Sequence, residues 1–492
     1  MKLNKILENC STKYFLKKNH FNPEIYGIAV HSSKVKKKFL FGAIKGNKFN
    51  GENYIQTLIQ KNKNFFIVHN SFDTTKFDLK KNIFIKTNNV RLLVSEVASL
   101  LFPNNIKEKI AVTGTNGKTS IANYSLQLNR IVGERMASIG TLGTIFNDEK
   151  IENTEQLTTP QSIEFHKSLK NLSIKGCKKL IVEASSIGLD QNRLYPIKFN
   201  KVAFTNLSHD HLDYHKSLTK YKIAKTKLFS EHTTSSSIAI VNADDKYTKY
   251  FLTICKKRKI KVLDYGFKGK FIKFKSIKDQ KNGFLINFTF NQKDFELYLN
   301  CSSSFEIFNL FASLIITFEE KLNSDKFNLL NELKNTDGRL EKIYDETFSV
   351  FIDYAHTPDA VQNVLSCLSK KKSNRIISII GCGGNRDKKK RNIMTKKALK
   401  YSDLVILADD NPRYERPETI RKEMMQNLNK SELLRISNIG DRKKAIKYGL
   451  QLVKKKDILI IFGKGHEKFQ IINGKKKIFS DHDVVKNFLK IR

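Results

Sequence analysis

The chain has 492 residues, room for roughly three domains at about 150 residues each. Its 89 Lys and Arg against 48 Asp and Glu give a formal charge of +41, but the lysines are spread over every third of the chain, which argues against a dedicated nucleic-acid groove and favours a small, highly anionic substrate. Six scattered cysteines without a C-x-x-C pair provide no disulfide or zinc framework, and no apolar run suits a signal peptide or reaches the ~18 residues of a membrane span, so a cytoplasmic protein is expected.

Residues 1–105 carry short β-like runs such as "KKFLFGAIKG" and "KNFFIVHN" between polar turns, which predicts a small α/β domain. From residue 106 the pattern changes: "KEKIAVTG", "KKLIVEASS", "NKVAFTNLS" and "SSIAIVNADD" are apolar strands ending in polar tips and alternating with helical stretches. That alternation predicts βαβ units and a mostly parallel sheet, with ligands gathered at the strand C-terminal ends. A third set begins at Gly338 with "FSVFIDYAH", "RIISIIGCGG", "DLVILADD" and "DILIIFGKGH". The expected architecture is α/β in three domains, at 1–105, 106–337 and 338–492: a small N-terminal domain, a central P-loop-type domain and a C-terminal Rossmann-like domain.

The segment "GTNGKTS" sets Gly114, Thr115, Asn116, Gly117, Lys118, Thr119 and Ser120 between a predicted strand and helix. Backbone N–H groups of such a loop cradle phosphates, Lys118 would reach the outer phosphates, and the Thr119 hydroxyl would bind magnesium. The full P-loop pattern is not met, since Val112 holds the first glycine position. Glu183, at the tip of "LIVEASS", is a chemically reasonable oxygen donor for the same ion. The run "SHDHLDYH" supplies His209, Asp210, His211, Asp213 and His215, in a spacing that follows no structural zinc pattern.

Together with "LTTP" at 157–160, "QNR" at 191–193, "YKIAK" ending at Lys225, "FN" at 308–309, "GRLE" from Gly338, "DYAHTPD", "GCGGNRDKKKR", "DNPR" and "GKGHE", these motifs make the chain from Gly114 to Glu467 resemble the ATP-dependent Mur ligases. The likeness is narrowest to the branch that adds the third amino acid of the peptidoglycan precursor. It implies ATP held by the phosphate loop with Asn309, Arg339 and Asp353, and Mg2+ held by Thr119, Glu183, His211 and a carbamylated Lys225, with Lys118, Lys225 and His211 catalytic. It also implies that UDP-N-acetylmuramoyl-L-alanyl-D-glutamate contacts Ser32, Thr158, Thr159, Ser185, Gln191 and Arg193. The sequence departs from the family at His31 and Ser33 around Ser32, at Ile187 for a histidine, at Asn385 for an aspartate and at Glu306 for a glycine.

The third substrate is read at "LADDNPRYERPE". Proline at 412 predicts an extended Asn411 and a rigid corner before Arg413. The resemblance makes Arg386, Asp410, Asn411, Pro412, Arg413, Gly463 and Glu467 a pocket for meso-2,6-diaminopimelate, and the enzyme an acid–amino-acid ligase. An arginine fork grips the distal carboxylate that lysine lacks. Rival expectations are a D-alanyl-D-alanine-adding Mur ligase, a folylpolyglutamate synthase, a nucleic-acid-stimulated P-loop NTPase and a non-catalytic binder. A monomer with no nucleic-acid partner and no stable membrane insertion is expected.

Overall fold

The computed structural model describes residues 1–16, 22–46, 49–151, 157–280 and 283–491, which form three main sheets. In the first, the aromatic and β-branched runs Gly27–Ala29, Phe39–Gly42, Phe65–His69 and Ile83–Thr87 lie parallel, and Tyr14–Leu16 closes the edge antiparallel to Ile83–Thr87. Helix Val90–Leu101 covers one face through Leu93, Val94 and Val97; Phe41, Phe66 and Phe84 fill the other. Ser32 follows the C-terminal end of the Gly27–Ala29 strand.

The second sheet is built around six parallel strands in the spatial order Met136–Gly140, Lys179–Glu183, Glu108–Thr113, Lys201–Phe204, Ile238–Asn242 and Lys261–Gly266. Strand Glu108–Thr113 starts this unit yet lies inside it, with later strands added on both sides. The strand order therefore reverses around it, and at such a switch point the loops after neighbouring strands splay apart and leave a crevice. The polar tips at Gly114, Glu183 and Thr205 all lie there. Antiparallel ribbons at both edges, Gly143–Ile151 and the three strands Ile272–Gln280, Gly283–Phe290 and Lys293–Leu299, extend the sheet beyond the expected parallel core.

The third sheet runs Glu341–Asp345, Ser349–Asp353, Ile458–Phe462, Ile376–Ile380, Leu404–Leu407, Ile436–Asn438, parallel except for the first strand. Its isoleucine-rich strands are buried on both faces. The last helix, Asp481–Leu489, is tied down by an ion pair with no exposure on either side: Arg442 Nε and Nη2 donate to the two Asp481 oxygens at 2.8 and 2.7 Å, and Nη2 also donates to the Phe462 carbonyl. Removing one partner leaves a buried, uncompensated charge, so Asp481→Ala is expected to cost about 3–5 kcal/mol, read as a lowered urea midpoint at unchanged slope.

Candidate active site

Two glycines shape the phosphate loop. Gly114 has φ +154° and a Cβ there would lie 1.8 Å from Thr205 Oγ1; Gly117 has φ +90° and a Cβ would lie 2.4 Å from Asn309 Oδ1. The loop is seated on the adjoining strand tip: Thr115 N donates to the Asn206 carbonyl, Asn116 N to Asn206 Oδ1, and both Asn206 Nδ2 and the Thr205 hydroxyl donate to the Asn116 carbonyl. Asn206 lies within the quoted strand tip "TNLS" but sequence reasoning assigned it no role.

Lys118 opens helix Lys118–Ile131 and folds back so that Nζ donates to Gly114 O at 2.8 Å and Thr115 O at 2.9 Å. Burial lowers its pKa, with Glu183 offsetting part of the effect and Arg339 adding to it. Lys225 is only 1% exposed; its Nζ also donates to Gly114 O at 2.8 Å and lies 4.6 Å from the Tyr221 ring centre. It is not an ordinary helix-surface lysine. Burial first, and then the neighbouring Lys118, push its pKa well below the usual lysine value.

The Thr119 hydroxyl donates to Glu183 Oε2 at 2.9 Å, and Thr141 fixes the same carboxylate through its N–H at 2.8 Å and its hydroxyl at 3.1 Å. Hydroxyl and carboxylate oxygens are the hard donors magnesium takes, usually alongside waters and phosphates. Among the described residues no group of three or more His, Cys, Asp or Glu stands together as a metal cage; the Thr119 hydroxyl and Glu183 carboxylate are the hard oxygen donors that fit an ion shared with a nucleotide. Thr141 carried no motif signal in the sequence. His211 adopts φ +53° and lies 3.4 Å from Asp210. Burial raises the Asp210 pKa, but His211, Lys390 and His356 together bring it below the usual carboxylate range.

A second cluster joins the residues expected to meet the acyl substrate. Thr159 Oγ1 donates to Glu183 O and accepts from Ser185 N; Arg193 Nη1 donates to Thr159 O at 2.7 Å, and its Nε and Nη2 hold Gln191 Oε1 at 3.1 and 2.8 Å. Thr158 reaches the same site through Thr141, hydroxyl to hydroxyl at 3.1 Å. Ser32 opens the short turn Ser32–Lys34 after the first sheet's Gly27–Ala29 strand and, among the described residues, bonds to neither cluster.

The third sheet faces the loop across a cleft of about 570 Å³ lined by Asn116, Gly117, Ser120, Asn309, Arg339 and Asp353, among others. Arg339 spans it: Nη2 donates to Thr119 Oγ1 at 3.2 Å while the guanidinium sits 4.7 Å from the Tyr354 ring centre. Asp353 accepts from Leu340 N at 2.6 Å and Ala355 N at 2.7 Å, which ties the linker after Gly338 to the strand tip. His209 meets Asp387 from the opposite side at 3.1 Å. Two of the family departures are absorbed locally: Glu306 accepts from the Tyr124 hydroxyl and Ser302 N, and Asn385 takes the φ of +53° that asparagine tolerates.

At the far end of this sheet, Asp410, Asn411 and Pro412 are buried, so the proline corner is not an idle surface turn. Arg413 has φ +58°; its N–H donates to Ile471 O at 3.0 Å and its Nη1 to Gly384 O at 2.9 Å and Asn411 O at 3.3 Å. Arg413 Nη1 and the Arg386 side chain both flank Gly383, and burial and then the neighbouring Arg386 depress the Arg413 pKa. Gly463, at φ +111°, follows the central strand and leads to Glu467, which accepts from Asn411 Nδ2 at 3.1 Å.

A phosphate loop at a switch point, a second buried amine beneath it and an arginine reaching in from another domain fit a nucleotide-dependent ligase. Residues 112–317 match the Mur ligase middle domain, and residues 338–465 the Mur ligase, glutamate ligase domain. The chain belongs to the Mur ligase family.

Within that family it is 38% identical over 473 residues to the UDP-N-acetylmuramoyl-L-alanyl-D-glutamate--2,6-diaminopimelate ligase of Rickettsia montanensis, covering 95% of this chain and 96% of the relative. The enzyme of the same name from Aquifex aeolicus is 38% identical over 469 residues, 94% of each chain. A solved structure of a ligase of that name superimposes with a TM-score of 0.63 at 29% identity, covering 95% of both chains. The MurF ligase of Thermotoga maritima in complex with ADP, at 18% identity and a TM-score of 0.61 over 94% of this chain and 97% of that one, shares the fold.

Proposed function

We propose that this chain is an ATP-dependent ligase that joins meso-2,6-diaminopimelate, through an amine, to the D-glutamate carboxylate of UDP-N-acetylmuramoyl-L-alanyl-D-glutamate. The observation that carries the substrate choice is the Arg413–Arg386 pair at the buried D-N-P-R corner, where Arg413 bonds only carbonyl oxygens among the described residues. The identity to relatives named for this reaction supports the same reading. Residues 1–105 would carry the uridine end of the substrate near Ser32, residues 106–337 the ATP, and residues 338–492 the amino acid.

Joining a carboxylate to an amine in water is uphill, so the carboxylate must first be activated. The glutamate carboxylate takes the γ-phosphoryl group of ATP and ADP leaves; the amine then attacks the acyl phosphate, phosphate departs, and the amine loses a proton. Lys118, swung from the loop carbonyls toward the phosphates, holds the charge that gathers in transfer. Arg339 brings a second cation from the facing domain and closes the cleft against water, which would otherwise hydrolyse the acyl phosphate. Magnesium held at Thr119 and Glu183, with His211 and Lys225 as its carbamate completing the set, would add charge neutralisation at the phosphates. Thr159, Arg193 and Gln191 hold the dipeptide end. Asn309 and Asp353 line the nucleotide cleft.

No helix among the described residues is long and apolar enough to cross a membrane; action as a cytoplasmic monomer is part of this proposal. The test is phosphate release with ATP and the UDP-muramoyl dipeptide, comparing meso-diaminopimelate, L-lysine and D-alanyl-D-alanine as acceptors. Turnover with the first alone is expected, and preference for either of the others would overturn the reading. Arg413→Ala is expected to raise the KM for diaminopimelate about 10–100-fold, with the KM for ATP unchanged, because a charged hydrogen bond to carboxylate is lost.

A further inference from the structure

Lys464 lies inside the amino-acid pocket with no exposed side chain, between the tips of the Leu404–Leu407 and Ile458–Phe462 strands. Its Nζ donates to Glu467 Oε2 at 3.1 Å and to Asn411 Oδ1 at 3.2 Å, and stands 3.6 Å from Asp410 Oδ1. Asn411 is correspondingly occupied: Nδ2 donates to the same Glu467 oxygen, and Oδ1 also accepts from Ile471 N at 2.9 Å. Both donors converge on Oε2 of Glu467, and Oε1 makes no recorded bond among the described residues.

We infer that Lys464 is a positioning residue for amino-acid selection: with Asn411 as a spacer, it anchors one oxygen of Glu467 and so aims the other at the ammonium of the incoming amino acid. This rests on the diaminopimelate reading above. Lys464 is an internal counter-ion for two carboxylates, Asp410 and Glu467, and substrate would bind to a carboxylate already oriented, without reorganising it. Asn411 then belongs to the frame of the pocket more than to its contact surface. The hairpin Phe469–Ile472 and Lys475–Ile478 completes that frame, because Ile471 bonds Asn411 through its N–H and Arg413 through its carbonyl.

The experiment is steady-state phosphate release by the full-length enzyme, with diaminopimelate varied at saturating ATP and UDP-muramoyl dipeptide. Lys464→Met is expected to raise the KM for diaminopimelate about ten-fold or more, leave the KM for ATP unchanged, and recover part of the loss in Lys464→Arg. In a Glu467→Gln background, Lys464→Met is expected to add little further, since both act through one carboxylate. Should Lys464→Met fail to fold, Asp410→Asn with Lys464→Met removes one acid along with the cation and carries the same measurement. A diaminopimelate KM within two-fold of wild type in a folded variant overturns the inference, as does a loss in kcat alone or one fully additive with Glu467→Gln. Wild-type enzyme that refuses diaminopimelate overturns the underlying reading instead.

Discussion

Lys118→Ala is expected to lower kcat by about a thousand-fold or more at saturating substrates, with a melting temperature within a few degrees of wild type. The size follows from what the side chain is for. Among the described residues its ammonium makes two bonds, both to carbonyls of its own loop; in the variant Gly114 O keeps Lys225 as a donor, and the loop stays seated through the bonds of Thr115 and Asn116 to Asn206 and Thr205. The fold therefore loses little. The phosphoryl group in transit, in contrast, loses a cation placed in a water-poor cleft, where charge stabilisation is worth far more than in solution. Single-turnover phosphate release, with circular dichroism melting as the control, separates the two effects. A kcat within about ten-fold of wild type would remove Lys118 from the reaction.

The parallel core of each large sheet was legible because a strand buried on both faces reads as a short apolar run, and "KIAVTG", "LIVEASS" and "KVAFTN" each end in a polar tip. The antiparallel ribbon at 272–299 was not read, though "GFLINFTF" alternates in burial as a strand with one face on the core should. The phosphate loop was legible because its chemistry is contiguous in sequence. Lys464 and Thr141 were not, because Asn411 and Asp410, which fix Lys464 against Glu467, and Glu183, which Thr141 holds, follow other strands, and nothing local distinguishes a lysine between two glycines or a threonine after one. Arg413 was read as a carboxylate fork; that its backbone would be pinned at positive φ by a hairpin some sixty residues on required the fold.

Lys225 combines both kinds of evidence. Its helix, Leu218–Ser230, looks lysine-rich and solvent-facing, yet Tyr221, Ala224, Lys225 and Leu228 fall on one stripe at helical spacing, and that stripe is buried. Two amines, Lys118 and Lys225, then share the Gly114 carbonyl as acceptor, an arrangement that disfavours two ammonium ions side by side. Uptake of carbon dioxide by the neutral Lys225 amine, with release of a proton, would place an opposite charge beside Lys118 instead of a second ammonium. Only the unprotonated amine reacts, and a folded pKa below 10.5 enlarges its share at any lower pH. As pH falls through the folded value the amine protonates, uptake stops, and activity in carbon-dioxide-limited buffer should fall on the acid side. Wild-type enzyme freed of carbon dioxide is expected to lose activity and regain it with bicarbonate. Lys225→Met is expected to lose about a hundred-fold or more in kcat and to ignore bicarbonate, because the anion that would help organise the phosphate charges cannot form. A Lys225→Met enzyme with near-normal kcat, or a wild type indifferent to carbon dioxide at every pH, would leave the buried amine as a bare donor to the loop.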